Sequence, residues 1–375
     1  MIKLFSLILF STFLSKAWAY PEMVTHGYGN CISCHASPTG GGLLTPYGRA
    51  LSKELLSMKS DSKGNSGSEQ FLYNSVHLPK NLQVGGDVRF LQMFLENQYE
   101  SSGRAIFMQA DLEAMYSFSK KTRVLVSAGR QDVAKAQKAM DQFISRRHWI
   151  NFLIGSEDNI EKHQLRLGRF FPAYGLNVPE HTLQIKRGLG FDQSQETYNA
   201  EYAYIGENWN IFSTLITGRP DKKELQKEEG GAIQASYTYQ SKNKIGASFY
   251  TGLAPNKSSS DRKTLMGIYS IYSFTPKLFS LFELDRSFTP RKNYGLYEYL
   301  KLGYNYTQGL TLYLAGEYSR PSIYQANNTL KSFSLGIQVF PWVHWEFEAY
   351  VKREENKLTQ NYKNNLAVLQ AHLYL

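Results

Sequence analysis

From about Leu82 to Leu375 apolar residues alternate with polar or small ones in short runs, and a period of two is the signature of strands. Phe333, Leu335, Ile337 and Val339 alternate with Ser332, Ser334, Gly336 and Gln338. Val343, Trp345, Phe347 and Val351 alternate with His344, Glu346, Glu348 and Lys352, and Met108, Ala110, Leu112, Ala114, Tyr116 and Phe118 with Gln109, Asp111 and Glu113. One face is greasy and the other charged. A soluble sandwich accommodates one or two such strands, whereas a whole chain of them fits an apolar exterior around a polar interior, the pattern of a transmembrane β-barrel.

The runs predict an all-β fold, an antiparallel barrel of about sixteen strands. They begin near Leu82, Arg104, Thr122, Ser145, His163, Thr197, Asn208, Gly230, Asn243, Lys263, Lys277, Asn293, Gly309, Leu330, Trp342 and Tyr362. Connections alternate in length as single-chain bacterial barrels require, with short periplasmic turns and long outer loops. Short ones fall at Ser119–Lys121, Gly206–Asn208, Ser241–Asn243, Thr275–Pro276, Thr307–Gly309 and Pro341–Trp342. Long ones fall at Val133–Ile144, Gly218–Glu229, Ala254–Arg262, Pro321–Thr329 and Glu355–Asn361; only Ser156–Lys162 is long for a turn. This phase places both ends of the barrel in the periplasm. Leu369, Ala371, Leu373 and Leu375 line one face of the last strand, similar to the terminal signal read by the barrel-assembly machinery, although such proteins most often end in phenylalanine.

Before the barrel the chain changes character. Residues 1–19 carry Lys3, an apolar stretch Leu4–Leu14 and Ala17-Trp18-Ala19, the layout of a cleaved signal peptide, and the apolar stretch is too short for a membrane anchor. Export to the outer membrane of a Gram-negative cell is the expectation, with residues 20–79 as a periplasmic segment and linker ahead of a barrel at 80–375. The net charge of +10 is scattered among acids with no basic run, so lipid and solutes, not nucleic acid, are the expected partners.

That segment holds both cysteines of the chain, in Cys31-Ile32-Ser33-Cys34-His35. The spacing is that of covalent c-type haem attachment: each thiol can form a thioether to a vinyl group, and the adjacent histidine reaches the iron. A disulfide or a zinc site are the competing readings. Gly40-Gly41-Gly42 then breaks the chain, and Thr45-Pro46 reads as a helix cap followed by proline at the first helical position. Tyr47, Leu51, Leu55 and Met58 fall on one face of the helix so predicted, a face able to cover the porphyrin. His26 and Met58 are the two candidates for the sixth iron ligand, with Met23 and His77 further off; an open position would make the iron ligand-binding.

The stretch Leu167-Gly168-Arg169-Phe170-Phe171-Pro172-Ala173-Tyr174-Gly175-Leu176, with the strand count and loop phase, resembles the strand-to-loop passage of the phosphate-selective porins O and P. The resemblance implies a porin-like channel whose third outer loop, about Pro172–Glu196, folds inward and narrows the pore, with His181, Lys186 and Arg187 as constriction residues; an exposed surface loop is the alternative. Lumen charge is mixed: Asp111, Glu113, Glu283, Asp285, Glu346 and Glu348 against Arg166, Lys301 and Lys352.

Three functions remain open at this point. The first is a channel whose single haem c exchanges electrons with a periplasmic carrier, a multihaem cytochrome or a small redox-active solute. The second is a passive porin in which the segment is a plug or redox sensor. A haem peroxidase would need a distal acid–base arrangement that His26, Arg49 and His77 do not form in sequence. A non-enzymatic role is therefore expected.

Overall fold

The structure, a computed structural model, describes residues 21–59, 67–130 and 143–375, the last range without 157, 160, 181, 222–226, 241, 256, 291–292, 326–327 and 359–361. The expected signal peptide, residues 1–19, and the candidate His181 lie outside the described residues.

Sixteen antiparallel strands close into one sheet. They are β1 (Leu82–Glu96), β2 (Ser101–Ser117), β3 (Thr122–Arg130), β4 (His148–Ile154 with a two-residue lead, Phe143–Ile144), β5 (Lys162–Phe170), β6 (Thr197–Ile205), β7 (Trp209–Thr217) and β8 (Glu229–Tyr239). The second half is β9 (Asn243–Leu253), β10 (Lys263–Ser273), β11 (Leu278–Thr289), β12 (Asn293–Thr307), β13 (Leu310–Arg320), β14 (Leu330–Val339), β15 (Trp345–Asn356) and β16 (Tyr362–Tyr374). Each pairs with its neighbour in sequence. The ring closes where β1 runs against β16, from Asp87↔Tyr374 to Glu96↔Asn365, so no edge strand is left open. Every predicted start lies within three residues of an observed one.

The alternation resolves as expected into two faces. Leu112, Leu335, Val351 and Leu369 are exposed on the outside, while Asp111, Glu113, Arg166, Glu283, Asp285, Lys301, Glu346 and Glu348 are buried inside. Exposed aromatics gather at the turn end, among them Phe118, Trp209, Phe274, Tyr306 and Trp342, as an aromatic girdle does at a membrane interface. The connections depart from strict alternation: 97–100 and 290–292, on the loop side, are as short as turns.

Among the described residues, two segments occupy much of the lumen. From the loop end the 171–196 connection folds inward, as one of the two readings of it required. Leu176, Ile185 and Leu189 are fully buried against inward residues of β9–β12, including Tyr250, Leu265, Tyr269, Phe279, Leu281 and Tyr297. Backbone ties hold it: Leu176 N–H donates to Glu283 (2.7 Å), Gly175 N–H to Ser248 Oγ (3.0 Å) and Gln184 N–H to Glu317 (2.8 Å). From the turn end comes the N-terminal segment, expected ahead of the barrel and found within its mouth. It is ringed by contacts to Asn305, Gln308, Phe340, Asn210 and Tyr374.

Gly175 sits at φ +57, and a Cβ there would lie 1.7 Å from Glu283 Oε1. Gly175→Val is therefore expected to cost about 1–3 kcal/mol and to lift the 171–196 loop off the wall. Limited proteolysis of the folded barrel checks it, with new cleavage inside that loop as the expected outcome.

Candidate functional site

The cysteine motif is built by local geometry. Asn30 is extended, Cys31–Ser33 make one tight turn, and the N–H groups of Cys34 and His35 both donate to Cys31 O, at 3.1 and 3.0 Å. The chain then doubles back. His35 bridges Leu44, Ala36 N–H donates to Leu43 O (2.9 Å) and Thr45 N–H to Cys34 O (2.8 Å), leaving 37–42 as the tip of a loop. Gly40, Gly41 and Gly42 all have positive φ, at +87, +74 and +64, which only glycine adopts without strain. Thr45 caps the helix Pro46–Leu51 by accepting from Gly48 N–H (3.0 Å), the cap and proline expected from sequence. A Cβ on Gly48 would collide with Cys34 O at 2.3 Å, so this glycine lets the helix lie directly on the motif.

The barrel wall and the inward loop hold the motif by polar contacts. Leu43 N–H donates to Glu113 (2.6 Å), Arg166 to Ser37 Oγ (2.8 Å), Asn177 to Thr39 O (2.7 Å), and Asn210 to Asn30 (2.6 Å). Arg166 is itself held in a buried pair with Glu201 (2.6 Å) and lies 3.8 Å from the Phe170 ring centroid. Charge buried so completely persists only when paired.

Between the loop tip and the inward 171–196 connection lies a cavity of about 290 Å³. Its lining includes Cys31, His35, Tyr28, Gly40–Gly42, Phe170–Gly175 and Lys186. Cys34 is not in the lining and is buried against Met23, Tyr28 and Leu51. The residues fit a porphyrin on three counts. Two thiols and an imidazole are the donor set for covalent haem. A Cβ on Gly40 would stand 3.0 and 3.1 Å from Cys31 Cβ and Sγ, so the glycine keeps the space beside that thiol clear. His35 Nδ1 lies 3.4 Å from Gly42 O, a long contact that, with Nδ1 as donor, would set the tautomer that presents Nε2 to an iron.

The two sixth-ligand candidates are placed elsewhere. Neither His26 nor Met58 lines the cavity. Helix geometry stops at Leu56 because Ser57 is extended (φ −74, ψ 129), so Met58 leaves the apolar face, donates its N–H to Phe340 O and is 44% exposed. Tyr47 is likewise exposed, hydrogen-bonded to Tyr28. Burial holds His26 below the ordinary histidine range, and burial followed by the Tyr47 bond pushes the Tyr28 hydroxyl upward. Of the constriction candidates, Lys186 faces the cavity, where burial lowers its pKa against the pull of Glu283 and Asp285; the exposed Arg187 side chain stands 3.9 Å from Asp192.

Sequence reasoning missed Arg146 and Arg147. Both line the cavity because β4 is broken at 145–147; Arg147 N–H donates to Ser127 Oγ (2.8 Å) and Ser127 N–H to Arg147 O (2.7 Å). Two adjacent arginines where alternation demands one face each were the available signal.

No family model and no curated protein matches the sequence. Solved structures do. Pseudomonas putida OprB at high pH aligns with TM-score 0.61 and 9% identity over 79% of this chain and 94% of its own. A loop-deletion mutant of OmpT, an outer membrane protein of Vibrio cholerae, gives 0.57 and 12% over 78% and 99%. Salmonella typhi OmpF, solved with daunomycin, gives 0.57 and 8% over 78% and 97%. The covered share is about what the barrel, 82–375, amounts to. At such identities the likeness is one of fold: the chain has the closed sixteen-stranded barrel of outer-membrane porins.

Replacing Arg166 with Gln leaves Glu201 buried without its cation, and a loss of about 3–5 kcal/mol is expected. Thermal unfolding in detergent reads it as a lowered transition, with the double variant Arg166→Gln/Glu201→Gln recovering much of the loss.

Proposed function

We propose that the chain is an outer-membrane barrel of the porin type that carries one covalent c-type haem on its N-terminal plug and passes electrons between a solute entering the lumen and a carrier at the turn end. The observation that carries this reading is the position of Cys31 and His35 on the wall of a lumen cavity, beside a glycine run that leaves room at the thiol. Cys31 and Cys34 supply the attachment points, and His35 supplies the proximal imidazole. A haem so bound supplies a one-electron iron couple. Leu43, Ser37 and Asn30, tied to strands β2, β5 and β7, fix the motif relative to the wall.

The outward apolar band and turn-end aromatics are suited to lipid, with the short turns on the periplasmic side and the last strand serving assembly. One haem cannot bridge a membrane about 40 Å thick, so the reading calls for a periplasmic electron carrier or multihaem cytochrome at the turn end.

A pyridine haemochrome spectrum of protein purified from outer membranes of a host that matures c-type cytochromes tests this. A covalent signal is expected, lost in Cys31→Ala/Cys34→Ala; intact barrel without haem rejects the reading and leaves a disulfide or metal site.

Occupation of the lumen also favours a second reading, in which the segment is a plug of a passive porin. Deleting residues 21–58 is then expected to raise single-channel conductance severalfold in planar bilayers, with heat-modifiable gel mobility reporting that the barrel still closes. Unchanged conductance rejects the plug.

A further inference from the structure

We propose that Arg89, Arg146 and Arg147 form a carboxylate seat that receives the two propionates of the porphyrin attached at Cys31 and Cys34; this rests on the haem reading above. A porphyrin held through its vinyl groups turns its propionate edge away from the cysteines, and two carboxylates brought into the barrel need cations there. The cavity that Cys31 and His35 line is also lined by these three arginines.

Their placement is specific. A regular strand turns alternate residues to opposite faces. The break at 145–147 instead turns consecutive arginines inward, held by the paired Ser127–Arg147 hydrogen bonds and by Arg169, whose Nη1 donates to Ser145 O. Acids of the wall pair with two of the three through their Nε atoms: Glu113 meets Arg147 (2.7 Å) and Asp111 faces Arg146 (3.5 Å). Arg147 Nη1 reaches the glycine tip, where a Cβ on Gly42 would stand 2.5 Å from it and one on Gly41 3.4 Å. The guanidinium therefore sits on the loop that carries the motif. Arg89 enters from β1 and is steadied by Pro179 O (3.3 Å).

Asp87 also acts on Arg89 and Arg147, and Glu196 on Arg146 and Arg147, but each of these acids has a closer partner. Asp87 accepts from His372 (2.9 Å), whose other nitrogen meets Glu346 (2.7 Å). Glu196 pairs with Arg169 (3.1 Å), and Lys186 faces Glu283 and Asp285 on the far wall.

The test is spectroelectrochemistry on the intact haem-bearing protein across the pH range in which carboxylates titrate. Arg147→Gln is expected to favour the oxidised form about tenfold, or ~59 mV for one electron, and to move the pH-dependent step of the potential to higher pH. Arg147→Gln/Glu113→Gln, which leaves net charge unchanged, keeps the pH shift, and Arg147→Lys restores part of the potential. Arg89→Gln gives a second reading if position 147 proves essential for folding, and the exposed Arg353→Gln serves as control. A covalent haem whose potential and pH profile are the same in Arg147→Gln, Arg89→Gln and the intact protein overturns the seat alone. Intact protein without covalent haem overturns the parent reading, and the seat with it.

Discussion

Sixteen strands closed into one sheet enclose more space than their own inward side chains can fill. The interior must then be water or other parts of the chain, and here two segments enter it from opposite ends. The 171–196 loop meets an apolar stretch of wall formed by β9–β12, where Tyr250, Leu265, Phe279 and Leu281 are buried against it as in a soluble core. The N-terminal segment reaches both sides: Val24 joins that apolar cluster, while the pairs Arg166–Glu201 and Arg147–Glu113 hold the loop that carries the cysteine motif.

The wall was legible in the sequence because its signal is periodic and local. Period two recurs in every strand, and the starts fall within three residues. What escaped was non-periodic. The break in β4 appears in the sequence only as two adjacent arginines, easily taken for a strand beginning at Ser145. The short connections at 97–100 and 290–292 lie inside what reads as longer irregular stretches.

The occupation of the lumen was not legible for a different reason. An inward Glu113 looks the same whether it faces water or Leu43 N–H, because a polar inner face is required in either case. The ties of the plug are hydrogen bonds between residues far apart in sequence, and nothing in composition announces them. The local backbone was clearer: the glycine run breaks the chain and Thr45 caps a helix as read, while the helical turns end at Leu56, two residues short of Met58.

Closure of the ring by its first and last strands has a consequence in time. β1 begins only a short stretch after the segment that lies inside the barrel, and its hydrogen bonds to β16 need the very end of the chain. The wall around the segment is thus complete only when the final strand has docked. Cys31 and Cys34, half-buried and buried within that mouth, are therefore harder to reach for any modifying agent once the ring is closed than before it.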